Sequence, residues 1–101
     1  MFHCVYFWLK KDLSEADRQT FESELALVSK IPYLAQSWIG KPADVPARPV
    51  CDQSFTWSLI VQFKTLADHD FYQSGCLDHQ RFVDTCKTFW EKVIIYDMTP
   101  Q

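Results

Sequence analysis

At 101 residues the chain has room for one domain around one core, and 48% hydrophobic residues with only two glycines mark a folding composition, with no disordered or low-complexity segment. A net charge of −3 with ten scattered basic residues leaves no stripe able to neutralise phosphates, which excludes nucleic acid as an expected partner. Aromatic residues make up 16% of a chain too small to hide them all, so some aromatic surface is expected to face a partner subunit.

Residues 2–9 (FHCVYFWL) are β-branched or aromatic with hardly a polar break, as in a strand covered on both faces. No positively charged segment precedes this run, no small-residue cleavage site follows it, and no apolar window is long enough to span a bilayer, so no membrane association is expected and a cytoplasmic setting is. Ser14, with Asp17 three residues on, resembles a capping box; Phe21, Leu25, Val28 and Ile31 then recur at helical spacing until Pro32, which predicts a helix over roughly 14–30. A short strand is expected at 34–39, ended by Gly40. The stretch after it carries Pro42, Pro46 and Pro49 and reads as a long semi-rigid loop.

From Phe55 the residues alternate: Phe55, Trp57, Leu59, Val61 and Phe63 on one side, Thr56, Ser58, Ile60 and Gln62 on the other. The odd-numbered set is expected to meet a helix-covered core. Thr65 and Asp68 repeat the capping pattern before a short helix bearing Leu66, Phe71 and Tyr72, broken near Ser74 and Gly75. A second helical segment from about Asp78 buries Phe82, Val83, Cys86, Phe89 and Trp90, and the chain closes with a short strand at 93–96 and a polar tail from Asp97.

The order strand, helix, strand, strand, helix, strand gives an α+β, ferredoxin-like β-α-β-β-α-β domain over 1–101, with both helical segments on one face of a four-stranded antiparallel sheet. On strand one the other face would hold Cys4, Tyr6 and Trp8. Together with Ile60, Ile94 and Tyr96 these form an apolar patch, and two such sheets facing each other would bury it as a homodimeric barrel.

Three pieces in order, residues 3–10 (HCVYFWLK), the segment between Tyr72 and Phe82, and residues 89–97 (FWEKVIIYD), together resemble the stress-responsive dimeric α+β barrel (A/B barrel) family across essentially the whole chain. The family's second helix usually carries a Tyr followed by a His-Pro-x-His turn. Here Tyr72 is followed by QSGCLD and His79, with one extra residue; His79 looks like the second histidine, and the first is missing. In plant polyketide cyclases on this barrel, a histidine and a tyrosine matching His79 and Tyr72 do acid/base work on a bound ketone chain, and a further histidine falls where this chain has Trp57. The resemblance therefore implies a pocket between sheet and helices lined by His3, Trp57, Tyr72 and His79, without carrying the cyclase reaction with it.

A histidine near its reference pKa of about 6.5 suits proton transfer and a tyrosine hydroxyl can polarise a carbonyl, so His79 and Tyr72 could promote enolisation. The plainer alternatives are a core aromatic at Tyr72, an exposed or capping histidine at His79, and a hydrogen-bonded core histidine at His3. Asp68, His69 and Asp70 read as the solvated first turn of a helix. Neither they nor Cys76, Asp78 and His79 show the second closely spaced pair of a zinc site, so no metal and no cofactor is expected. Cys4, Cys51, Cys76 and Cys86 form no CxxC pair and read as reduced thiols, Cys86 in the core and Cys51 exposed. No nucleophile elbow, phosphate loop or dinucleotide fingerprint is present.

Four readings of function remain: a barrel protein that binds a small apolar or aromatic ligand; a cofactor-free acid/base enzyme acting on a polyketide-like substrate through His79 and Tyr72; a cofactor-independent monooxygenase, supported only by Trp57 near His3; and a purely structural or interaction dimer.

Overall fold

In the computed structural model, which describes residues 1–101, the chain runs β1 (Phe2–Leu9), α1 (Glu15–Val28), β2 (Gln36–Gly40), β3 (Trp57–Gln62), α2 (Leu66–Ser74), α3 (Leu77–Cys86) and β4 (Trp90–Met98). The strands form one antiparallel sheet in the order β2-β3-β1-β4, the ferredoxin-like arrangement. No helix is long and apolar enough to cross a membrane.

Both anticipated N-caps form. Ser14 Oγ accepts from the Asp17 amide and Thr65 Oγ1 from the Asp68 amide, each at 3.1 Å, satisfying one otherwise orphaned donor at the start of α1 and of α2. Along β1 the odd positions His3, Val5, Phe7 and Leu9 are buried and the even positions half-buried, the alternation expected of a sheet with one helix-covered face. Phe7 sits centrally in an aromatic cluster, its ring 5.3 Å from Phe21, 5.8 Å from Phe82 and 5.4 Å from Trp90. Burial of each such side chain contributes about 1.5–3 kcal/mol, so this layer dominates the stability of the fold.

Two sequence expectations are corrected here. The closing strand is nine residues long and not four: Trp90 pairs with Leu9 and Asp97 with His3 in the β1–β4 ladder, so Trp90 is a strand residue and Asp97 no part of a polar tail. Apolarity alone understates a strand whose outer half is exposed. Phe55, in turn, does not share the face of Leu59 and Val61. It precedes the regular strand, where parity no longer applies, and its ring packs at 5.1 Å against Tyr6 on the opposite face.

That opposite face carries no helix. The loop over 41–56 returns across part of it, with Ser54 Oγ accepting from the Trp8 indole at 2.9 Å, but Trp38 remains 48% and Tyr96 64% exposed beside half-buried Ile60 and Ile94. Cys86 is fully buried as expected; Cys51 is half-buried rather than freely exposed, and all four thiols are unpaired.

Candidate functional site between the sheet and the short helices

His3 is the one polar residue of the buried set, placed there by the parity of β1. Its Nδ1 lies 2.6 Å from Asp97 Oδ1, directly across the ladder, so the buried imidazole has a charge-assisted partner. Tyr72 reaches the same place from α2, its buried ring 5.7 Å from that of His3 and 5.2 Å from Phe63.

His79 arrives on a different helix. The chain turns at Gly75 and Cys76, whose amides both donate to the Phe71 carbonyl, and Cys76 caps α3 with its Sγ accepting from the His79 amide at 3.5 Å. A Cβ at Gly75 would lie 2.9 Å from the Phe71 ring, so a side chain there would have to displace that half-exposed ring. Across this turn the Tyr72 and His79 rings lie 4.0 Å apart with planes 33° from parallel.

His3, Tyr72 and His79 border a cleft of about 220 Å³ whose other walls are mostly apolar, among them Leu59, Phe82, Val83 and Trp90. Its volume exceeds the roughly 150 Å³ of an engineered apolar cavity that admits benzene. Trp57 does not border this cleft. It sits at the edge of the core, with the Lys41 ammonium 4.7 Å over its ring.

Burial lowers the His79 pKa from the ordinary imidazole value, with the nearby His3 charge acting the same way against a hydrogen bond to the Tyr72 backbone. His3 is also shifted down by burial, against the pull of Asp97. Burial pushes the Tyr72 hydroxyl up, so it stays protonated. At neutral pH the cleft thus offers a neutral imidazole beside a phenol that can donate a hydrogen bond.

Residues 1–100 match the Stress responsive A/B Barrel Domain (Dabb) along their whole length. The chain belongs to the Dabb family. Olivetolic acid cyclase of Cannabis sativa is similar at 28% identity, covering 98% of this chain and 95% of the cyclase. Among solved structures of the same fold, a dimeric ferredoxin-like protein of unknown function from Jannaschia sp. CCS1 superposes with a TM-score of 0.75 at 15% identity over 98% of this chain and 97% of its own. Hydroxynitrile lyase from Passiflora edulis superposes at 0.72 and 18% identity over 94% and 87%. Dabb proteins and their structural neighbours thus include enzymes, dimers and proteins of unknown function.

Two residues packed beside His3 escaped the sequence reading. Asp97 continues the helix-facing parity of Val93 and Ile95, a signal available once β4 is extended by one more alternation. His69 was expected on a solvated turn; instead its side chain is only 18% exposed and its ring lies 5.4 Å from that of His3. Its position three residues before Tyr72 puts both on one helix face, the spacing that would have revealed it.

Proposed function

We propose that this single-domain chain forms a homodimer through the open face of its sheet and binds a small apolar or aromatic ligand carrying a carbonyl group in the cleft between sheet and helices. The observation that carries this reading is the cleft itself: apolar walls with a protonated phenol and a neutral imidazole stacked at one end. Few polar groups fixing the orientation of a mostly apolar ligand is the usual construction of a small-molecule site. An open cleft, rather than one filled by its own side chains, weighs against a purely structural dimer. The exposed apolar sheet face and the dimeric state of structural neighbours support the homodimer, and unpaired thiols suit a cytoplasmic setting.

The test is a titration with small aromatic ketones followed by the fluorescence of Trp90, which lines the cleft. Saturable quenching is expected in the wild type and its loss in Val83→Phe, which fills the space without adding a fluorophore of the same kind. Absence of quenching with the wild type, or equal binding by the filled variant, overturns the reading.

The Tyr72–His79 pair favours a second reading, cofactor-free acid/base catalysis, which the cyclase relative makes concrete. His79 would take a proton from the carbon next to the carbonyl while the electron pair moves onto the carbonyl oxygen, held there by the Tyr72 hydroxyl. Polyketide-like β-keto compounds are the substrates to try. With a substrate in hand, His79→Ala should lower kcat about 100-fold or more while leaving binding in place; unchanged turnover would leave only the binding function. Trp57, lying outside the cleft, lends nothing to a monooxygenase.

A further inference from the structure

His3, His69 and Asp97 come from β1, α2 and β4, and their ligand atoms all lie within 4.8 Å of one another. Their hydrogen bonding is incomplete at one atom. His69 Nδ1 lies 3.1 Å from Asp70 Oδ1, a carboxylate that can only accept; in the neutral ring, Nδ1 donating to it puts the lone pair on Nε2. That Nε2 is shielded from solvent and has no hydrogen-bond partner. It faces Asp97 Oδ2, a second lone-pair atom, at 4.0 Å.

Two acceptors across such a gap repel each other unless something positive lies between them. The separation is too long for a direct hydrogen bond, which needs about 2.7–3.2 Å. It is close to what a metal ion requires, because two bonds of about 2.0–2.2 Å set their ligand atoms roughly 3.3–4 Å apart.

We propose that His3, His69 and Asp97 bind one divalent transition-metal ion of the zinc class. Two imidazoles and a carboxylate select zinc, cobalt, nickel or iron over the oxygen-seeking magnesium and calcium. Asp70 supplies the supporting contact that metal-bound histidines usually have, a carboxylate accepting from the far ring nitrogen and aiming the near one. On binding, the proton now held between His3 Nδ1 and Asp97 Oδ1 shifts to the other ring nitrogen of His3, so the imidazole stays neutral and Nδ1 and the carboxylate are both free to face the ion. The Asp97 side chain, 41% exposed, has room to swing as that contact opens. Three protein ligands leave a further coordination position for water. This site stands independently of the ligand-binding reading, although His3 borders both.

The expectation of no metal rested on residues adjacent in sequence, such as Asp68 to Asp70 and Cys76 to His79. The proposed ligands are instead assembled by the fold from three elements, beyond the reach of spacing rules.

The experiment titrates the metal-free full chain with Co²⁺, read by its visible absorption, and then measures Zn²⁺ affinity by competition with a chromogenic chelator. One Co²⁺ per chain is expected, with the moderate visible bands of a nitrogen and oxygen site and no intense near-ultraviolet thiolate band. His69→Ala and Asp97→Asn should each weaken Zn²⁺ about tenfold or more, and Asp70→Asn about tenfold. Cys51→Ser, in the loop over 41–56 and outside the cluster, should leave the metal affinity unchanged. No Co²⁺ uptake, a thiolate band, or wild-type affinity in the folded Asp97→Asn and Asp70→Asn proteins would overturn the site. Both of those positions are on exposed or half-exposed side chains, so the decision does not depend on His69→Ala folding.

Discussion

The two faces of this sheet are built from the same strands and have opposite fates. On one, His3, Val5, Phe7 and Leu9 pack beneath three helices into a dense aromatic layer that borders the cleft. On the other, Tyr6, Trp38, Ile60, Ile94 and Tyr96 have only the 41–56 loop for partial cover. The first face spends its apolar surface within one chain, whereas the second holds surface that only another molecule can remove from water. Strand parity thus divides the sheet into a face closed by the chain's own helices and a face left largely open.

Substitution should break this contrast most sharply at the core. Phe21→Ala empties a fully buried position against Phe7 and Phe82 and should cost about 3–5 kcal/mol, read as a lower urea midpoint. Ile94→Lys on the open face should instead leave the chain folded and separate the dimer, moving the mass measured by light scattering from twice the 11.9 kDa chain to a single one. A wild type of single-chain mass at micromolar concentration would remove the interface altogether.

Acid should strain the cleft side in particular. With its folded pKa lowered by burial, His79 stays neutral where an unfolded chain would take up a proton. The unfolded state then binds more protons, so stability falls as pH drops below about 6.5. Thermal unfolding at pH 5.5 should come at lower temperature than at pH 7.5, and His79→Gln should narrow that difference. The smallest effect is expected at the loop: Phe55→Ala loses its edge-on contacts with Tyr6 and Trp8, worth about 0.5–1.5 kcal/mol. A larger loss would mean that the loop, and not a second subunit, is the principal cover of that face.

Most of the architecture was legible because it follows local rules. Ser14 and Thr65 announced two helix starts, the alternation of β1 gave its buried set, and Gly75 marked the break between α2 and α3. Legibility failed where a partner across space, not a neighbour along the chain, decides. Asp97 is strand because His3 pairs with it, Trp90 because Leu9 does, and Phe55 changes face because no ladder holds it. Tyr72, His79 and His3 were each singled out from the sequence, but the exclusion of Trp57 from the cleft and the turning of His69 toward His3 depend on three-dimensional placement.

The turn at Gly75 and Cys76 separates two kinds of distance. Tyr72 lies near the end of one lever and His79 near the start of the next, so how close their rings come is set by the angle at which two short helices meet. Here the chain reverses at Gly75 and Cys76, and the two rings meet at 4.0 Å across that elbow. In this chain the histidine–tyrosine contact is therefore a property of the elbow's angle, which spacing along the sequence does not reveal.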